Sequence, residues 1–190
     1  MIKKIFDLLM SIFFISLFSP LMILIMLLIK LFEDFDIFFI QKRSGKNGKS
    51  INVYKFQTIK NIRNNQMQIS KLGKFLRISR LDELPQFFNV LKGDMSLVGP
   101  RPLYLKYNNL YNQNQKKRLS IKPGITGWAQ VNGDNNLSWS KKFSYDLWYV
   151  ENQNIFLDLY ILFKTIIVIL KKIFLKKNKL IIEEEFNGKN

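Results

Sequence analysis

Residues 5 to 29 read IFDLLMSIFFISLFSPLMILIMLLI, a nearly unbroken apolar run with Asp7 as its only charge and Ser19-Pro20 at its centre. The run is too long for the apolar region of a secretory leader, and no small-residue cleavage site follows it. About 20 apolar residues suffice to span a bilayer. Pro20, however, removes a backbone donor and crowds the preceding turn, which kinks or breaks a helix. The arms on either side are about 14 and 10 residues, roughly 21 and 15 Å at helical rise. Neither arm alone crosses a hydrocarbon core of about 30 Å. A bent, re-entrant helix that enters and leaves by the same face fits these lengths, with Ser19 able to satisfy a carbonyl freed by the bend. Lys3 and Lys4 precede the run and Lys30 ends it, so both flanks favour the cytoplasmic side. A kinked spanning helix with the body inside is the other reading.

The rest of the 190 residues suffice for one domain with a modest core. Lys and Arg total 30 against 14 acids, a formal charge of +16, so the chain seeks polyanions: nucleic acid, anionic lipid or a phosphorylated substrate. It contains no His and no Cys. Imidazole bases, thiolate nucleophiles, disulfides and Cys/His metal sites are therefore excluded.

The segments divide the chain into a membrane-associated stretch (1–36), a catalytic body (37–154), an amphipathic helix (155–175) and a tail (176–190). Residues 37–60 alternate short apolar runs around Ser44-Gly45-Lys46-Asn47-Gly48 and predict a β-hairpin. Residues 61–70 are polar and predict a mobile loop. Leu72, Phe75, Leu76 and Ser79 share a helical face, and a second short helix starts at Leu84. Residues 103–119 predict a polar helix, and 121–136 are rich in turn residues. In 155–175, Lys164, Lys171 and Lys172 recur seven or eight apart, which predicts an interfacial helix whose lysines meet anionic headgroups. A second spanning helix with a snorkelling lysine is the alternative. Residues 176–190 predict a solvated tail. The expected fold is mainly α with small β elements (α+β), a monotopic membrane protein with a re-entrant N-terminal helix and an interfacial amphipathic helix.

Chemistry concentrates in residues 77–102, RISRLDELPQFFNVLKGDMSLVGPRP. Adjacent carboxylates, Asp82 and Glu83, stand beside Arg77 and Arg80. A carboxylate pair near fixed cations suits metal-assisted chemistry on a phosphate ester. The same residues also read as a helix start, with Asp82 as N-cap and Pro85 in the first turn. Two prolines stiffen the backbone around Arg101, which makes it either a pre-positioned phosphate fork or a solvated arginine on a rigid linker. The amides of Lys122-Pro123-Gly124-Ile125-Thr126-Gly127-Trp128 suit an anion, or simply form turns around a buried Trp. Lys55 is either a site cation or a gatekeeper on an edge strand. A non-enzymatic, basic membrane-surface scaffold accounts for the charge but not for an acidic pair inside a basic region.

In order along the chain, the run broken at Ser19-Pro20, YKFQT, LDELPQFFNVLKGDMSLVGPRPL, KPGITGWAQVNG and LDLYILFKT resemble the small monotopic phosphoglycosyl transferases of bacteria, the bacterial sugar transferase family. Within that family the chain is most similar to the transferase that loads N,N′-diacetylbacillosamine 1-phosphate onto undecaprenyl phosphate. The resemblance implies that Asp82 attacks the sugar-bearing phosphorus of a UDP-sugar and expels UMP, and that undecaprenyl phosphate then takes the phosphosugar from Asp82. It implies Mg²⁺ as cofactor, with Asp82 and Glu83 at the metal. Arg77, Arg101, Lys55 and Asp158 are implied around the phosphates, and Ser19-Pro20 at the membrane bend. The implied location is the cytoplasmic face of the bacterial inner membrane, with anionic lipids as neighbours and no nucleic-acid partner. Gln57 stands where the family usually has a basic residue, and Asp134 where it usually has an arginine, which leaves the sugar less defined than the reaction.

Overall fold

The computed structural model describes residues 2–62, 66–133, 136–174, 185–188 and 190. Helix α1 (Ile2–Phe32) is followed by strands β1 (Phe38–Ser44), β2 (Ser50–Phe56), β3 (Ile59–Ile62) and β4 (Gln66–Ile69). Helices α2 (Lys71–Ser79) and α3 (Gln86–Lys92) come next, then strand β5 (Ser96–Val98). Helix α4 (Gln113–Lys116), strand β6 (Gly124–Thr126) and helices α5 (Trp128–Val131), α6 (Trp139–Asn152) and α7 (Ile155–Phe174) complete the chain. The architecture is mostly helical with small two-stranded sheets, as the sequence predicts.

Helix α1 runs through Pro20 as one uninterrupted element. Proline at position 20 cannot donate to the carbonyl of Ser16, four residues back. Ser19 Oγ donates to that carbonyl at 2.9 Å, the compensation expected from the sequence. The helix lies along the body on both sides of Pro20. Its first half (Phe6, Met10, Phe14) packs against the core of Val90, Met95, Leu97, Val98, Tyr149 and Ile161. Its second half (Met22, Ile25, Ile29) packs with Phe56, Leu76 and Leu84. Ile5, Leu9, Phe13, Leu17, Leu24 and Leu27 remain exposed along its outer side. An apolar face of this extent on a soluble domain marks a membrane or partner surface.

The hairpin forms as predicted: β1 pairs antiparallel with β2 from Phe38↔Phe56 to Ser44↔Ser50. Asn47 (φ 56°) and Gly48 (φ 73°) turn the chain in the left-handed region, which Gly adopts without strain and Asn tolerates. Three expectations are corrected. Residues 61–62 and 66–69 of the expected loop belong instead to β3 and β4, which pair antiparallel. A backbone ladder needs no apolar alternation, so polar composition concealed it. The helix expected over 103–119 is instead a 3₁₀ turn (Leu105–Asn109), α4 and a second 3₁₀ turn (Lys117–Ser120). Asn112 restarts the chain there as a capping box with Gln115. The tail is not wholly solvated either, because Phe186 is buried among Tyr107, Tyr111, Trp139 and Phe143.

Helix α7 shows Phe156, Leu159, Phe163, Ile166, Leu170 and Phe174 to the outside. Lys164, expected to meet headgroups, turns inward: its Nζ donates to Asn132 Oδ1 at 2.7 Å and lies 5.2 Å from the centre of the Trp128 ring. That ring is half-buried and stacks on Trp148 at 4.8 Å.

Candidate active site

Helix α2 starts at Ser70, whose side chain accepts from the amide of Gly73, and ends at Arg80 in the left-handed conformation (φ 59°). That ending directs Leu81–Glu83 into a 3₁₀ turn, and Pro85 begins α3. Both Asp82 and Glu83 are thereby turned into the protein and buried. Asp82 is not the cap of α3, so the helix-start reading of this residue is corrected: its Oδ1 is buried with no hydrogen-bond partner.

The two carboxylates are surrounded unequally. Glu83 Oε1 receives Lys55 Nζ at 2.6 Å, Arg101 Nη2 at 3.2 Å and Arg80 Nη1 at 3.4 Å. The fold thus brings Lys55 beside the acidic pair. Burial pushes the Glu83 carboxyl up, but the charges of Lys55, Arg101 and Arg80 outweigh it and hold the group well below the usual carboxylate range. Burial, and then the Glu83 charge, push Asp82 up to about 6 against the opposing pull of Lys55, Arg80 and Arg77. One fold thus drives two neighbouring acids apart: Glu83 is held as an anion that gathers cations, and Asp82 is a carboxylate with one unbonded oxygen, pushed up to about 6.

Arg101 is fixed from behind. Gly99 and Gly124 bring β5 and β6 so close that a Cβ on Gly124 would lie 2.1 Å from the Gly99 amide nitrogen. The Gly99 amide donates to Thr126 and the Gly124 amide to Pro100. The Gly99 and Gly124 amides therefore serve the strand pair, and the anion cradle expected from the KPGITG segment is corrected at that point. Arg118 Nη2 donates to the Arg101 carbonyl at 2.7 Å. Arg118 is itself buried and pairs with Asp146 Oδ2 at 2.9 Å. Arg77 donates from Nε to Thr58 Oγ1 at 2.8 Å and faces Asp82 electrostatically.

Asp158 is placed differently from its expected phosphate-binding role. It is buried, with Oδ2 on Lys3 Nζ and Oδ1 on the Tyr149 hydroxyl, each at 2.5 Å. Both donors also reach the Val98 carbonyl, at 3.2 and 3.1 Å. Asp158 therefore clamps α1, α6 and α7 onto β5. Burial, followed by the Asp158 charge, pushes the Tyr149 hydroxyl far up, so Tyr149 acts there as a neutral donor. One turn further along α1, Asp7 accepts from Ser96 Oγ at 2.7 Å and Leu97 N at 3.1 Å.

Arg118, Asp146, Lys3 and Asp7 were not singled out as site-supporting residues. A signal existed: Trp139, Phe143 and Asp146 share one helical face, as do Lys3, Asp7 and Ser11. A charge on an apolar face requires a buried partner. Gln57 bonds locally, from Nε2 to the Ile59 carbonyl. Asp134, the other departure from the expected pattern, lies outside the described residues.

Residues 1–172 match the bacterial sugar transferase family. The sugar transferase EpsL of Bacillus subtilis (strain 168) is 41% identical, covering 98% of this chain and 96% of its own. The UDP-glucose:undecaprenyl-phosphate glucose-1-phosphate transferase of Klebsiella pneumoniae is 40% identical over 86% of this chain. The UDP-N-acetylgalactosamine-undecaprenyl-phosphate N-acetylgalactosaminephosphotransferase of Aeromonas hydrophila is 38% identical over 89%. The matched parts are 39% and 44% of those two longer proteins. The core packing of α1, the LDELP turn and the GPRP loop all fall within the matched stretch: the chain belongs to the bacterial sugar transferase family.

Proposed function

We propose that this protein transfers a sugar 1-phosphate from a UDP-sugar to undecaprenyl phosphate and releases UMP, with Asp82 as the nucleophile. The observation that carries the reading is Asp82 Oδ1: a buried carboxylate oxygen with no partner, beside an anion that has assembled three cations. A purely structural carboxylate would be capped or paired, since a buried polar atom left unbonded is destabilising by about 1–3 kcal/mol. The names of the Klebsiella and Aeromonas relatives support the substrate classes.

In the first step an Asp82 oxygen bonds to the sugar-bearing phosphorus. The bond from that phosphorus to the bridging oxygen breaks, and UMP leaves with the electron pair. In the second step a phosphate oxygen of undecaprenyl phosphate bonds to the same phosphorus and the acyl phosphate opens, which returns the Asp82 carboxylate. Repulsion between a carboxylate and a diphosphate opposes the first step, and Arg101, Arg80, Arg77 and Lys55 offset it. Among the described residues no three acidic side chains cluster as a metal cage. Mg²⁺ suits such a site, because it binds through one or two carboxylates plus substrate phosphates. Asp82, with its unbonded oxygen, would hold the ion, and Glu83 would stand beside it. When bound, Mg²⁺ neutralises the diphosphate.

The exposed apolar faces of α1 and α7 support a seat on the bilayer, where the lipid phosphate lies. Core contacts on both sides of Pro20 support a re-entrant rather than a spanning α1, and the basic flanks support the cytoplasmic face of the inner membrane.

The test is UMP release by detergent-solubilised protein over a panel of UDP-sugars: N,N′-diacetylbacillosamine first, then glucose and N-acetylgalactosamine. Release should require Mg²⁺ and undecaprenyl phosphate for multiple turnovers. Acid-quenched protein, given UDP-sugar alone, should carry one phosphosugar on Asp82 by mass spectrometry. Asp82→Asn should abolish both signals. Normal turnover by that variant rejects the nucleophile, and a protein with no turnover and unchanged lipid binding in Asp82→Ala is the basic scaffold instead.

A further inference from the structure

Resting on the transfer reaction above, we infer that Phe186 is a positioning residue for that reaction: the segment that carries it docks behind the Arg101 loop and holds Arg101 at the carboxylate pair. Phe186 lies beyond residues 1–172, the stretch that matches the family. It is the one large apolar side chain in residues 183–190, EEEFNGKN. A polar segment of this kind stays ordered only where something ties it down.

The tie is specific. The buried Phe186 ring lies 4.9 Å from Phe143, 5.4 Å from Trp139, 5.6 Å from Tyr107 and 5.9 Å from Tyr111, measured between ring centres. Its amide donates to the Tyr107 hydroxyl at 3.3 Å. Lys106 Nζ pairs with Glu185 Oε2 at 2.6 Å. Asn187 and Asn190 each accept the other's amide through the side chain, and Asn190 Nδ2 donates to the Glu185 carbonyl. The segment is therefore a closed turn that presents one ring to an aromatic cup.

Two routes lead from that cup to Arg101. The first passes through Arg118. The Tyr111 and Phe143 rings each lie 5.8 Å from its guanidinium carbon, and Nη1 donates to the Tyr111 hydroxyl at 3.4 Å. Phe186 closes the outer side of these two rings, so it helps keep water from a buried charge whose other contact is the Arg101 carbonyl at 2.7 Å. The second route is Leu103, two residues beyond Arg101, which packs against the same cluster while its carbonyl accepts the Ser44 amide at 2.8 Å. Arg118 and Leu103 hold the loop on either side of Pro102, and both rest on the cluster that Phe186 fills. Removing the ring opens a cavity into which Tyr111, Phe143 and Leu103 can relax. Because Arg101 Nη2 reaches Glu83 Oε1 at 3.2 Å, a shift of the loop moves the guanidinium relative to the carboxylate pair.

The experiment compares Phe186→Ala and Phe186→Leu with the unaltered enzyme in nanodiscs, below the melting temperature of each. A misplacement of about 1 Å costs about a hundredfold in rate, so a partial shift of Arg101 should lower kcat/KM for the UDP-sugar about tenfold in Phe186→Ala. Phe186→Leu refills most of the space and should lose only about threefold. With Arg101→Gln already in place, Phe186→Ala should change kcat/KM by less than about twofold, because the residue it positions is gone. Hydrogen exchange needs no turnover: the Ser44 amide should quicken about tenfold in Phe186→Ala relative to the Leu97 amide, which Asp7 holds outside the cluster. Unchanged kcat/KM in Phe186→Ala overturns the inference. An equal loss on the Arg101→Gln background also overturns it, since the segment then supports the fold at large and not Arg101. If Phe186→Ala does not fold, Phe186→Leu carries the comparison, and unchanged kcat/KM in that variant overturns the inference. Failure of the transfer reaction is separately visible, because the unaltered protein would then release no UMP. The exchange measurement still decides in that event: a Ser44 amide that does not quicken relative to Leu97 overturns the positioning role.

Discussion

Replacing Lys55 with methionine tests the electrostatics of the dyad most directly. Lys55 Nζ lies 2.6 Å from Glu83 Oε1, and the two side chains are 22% and 8% exposed. The pair is therefore little screened by solvent, and a hydrogen bond between charged groups in such a setting is worth about 1.5–3 kcal/mol. Arg101 and Arg80 still serve Glu83, so the loss falls short of the roughly 3–5 kcal/mol of a buried charge left alone. We expect about 2 kcal/mol, a fall in melting temperature of roughly 4–8 °C for a chain of this size. The pH profile carries the sharper consequence. Asp82 sits at about 6 because burial and the Glu83 charge raise it while Lys55, Arg80 and Arg77 lower it. Methionine removes a lowering contribution and leaves Glu83 less neutralised, so the Asp82 carboxyl must rise. A nucleophile is active only when ionised, so kcat/KM for UMP release should climb with pH through about 6 in the unaltered enzyme. In Lys55→Met the same limb should lie at higher pH, at whatever absolute rate remains. Profiles from pH 5 to 8 decide the matter: an acid limb that stays in place or moves down refutes the assignment of Asp82 as the titrating nucleophile.

Four further outcomes follow from the geometry. Asp146→Leu should destabilise the protein by about 3–5 kcal/mol in thermal or urea unfolding, because it strands Arg118 in the core. Arg118→Met with Asp146→Leu should recover most of that stability but not the activity, since the Arg101 carbonyl still lacks its donor. Gly124→Ala should destabilise by about 3 kcal/mol or more in the same unfolding measurement, because its Cβ falls 2.1 Å from the Gly99 nitrogen at the base of the Arg101 loop. Single cysteines at Lys4 and Lys46, both exposed, should label from the same side of the membrane if α1 is re-entrant. Lys3 is unsuitable for that label because it clamps Asp158.

The sequence by itself determined the elements that depend on local chemistry. Pro20 inside an apolar run dictated a helix in need of a substitute donor, and Ser19 supplies it at Ser16. Gly45 to Gly48 dictated the hairpin, the spacing of Leu72, Phe75, Leu76 and Ser79 the helix α2, and the Asp82-Glu83 pair the candidate chemistry. These features act over one or two turns of chain, within reach of a sequence pattern. Tertiary structure decided everything that required distant residues to share space. Asp82 and Glu83 are adjacent and locally alike. Only Lys55 from β2 and Arg101 from beyond β5, converging on one of them, make Glu83 the anchor and Asp82 the open carboxylate. Asp158, read as a phosphate ligand, became a clamp because Lys3 and Tyr149 meet it in the core. Arg118, in a segment read as a polar helix, and Phe186, in one read as a solvated tail, became interior for the same reason: burial changes the energy of a side chain by more than its local sequence does.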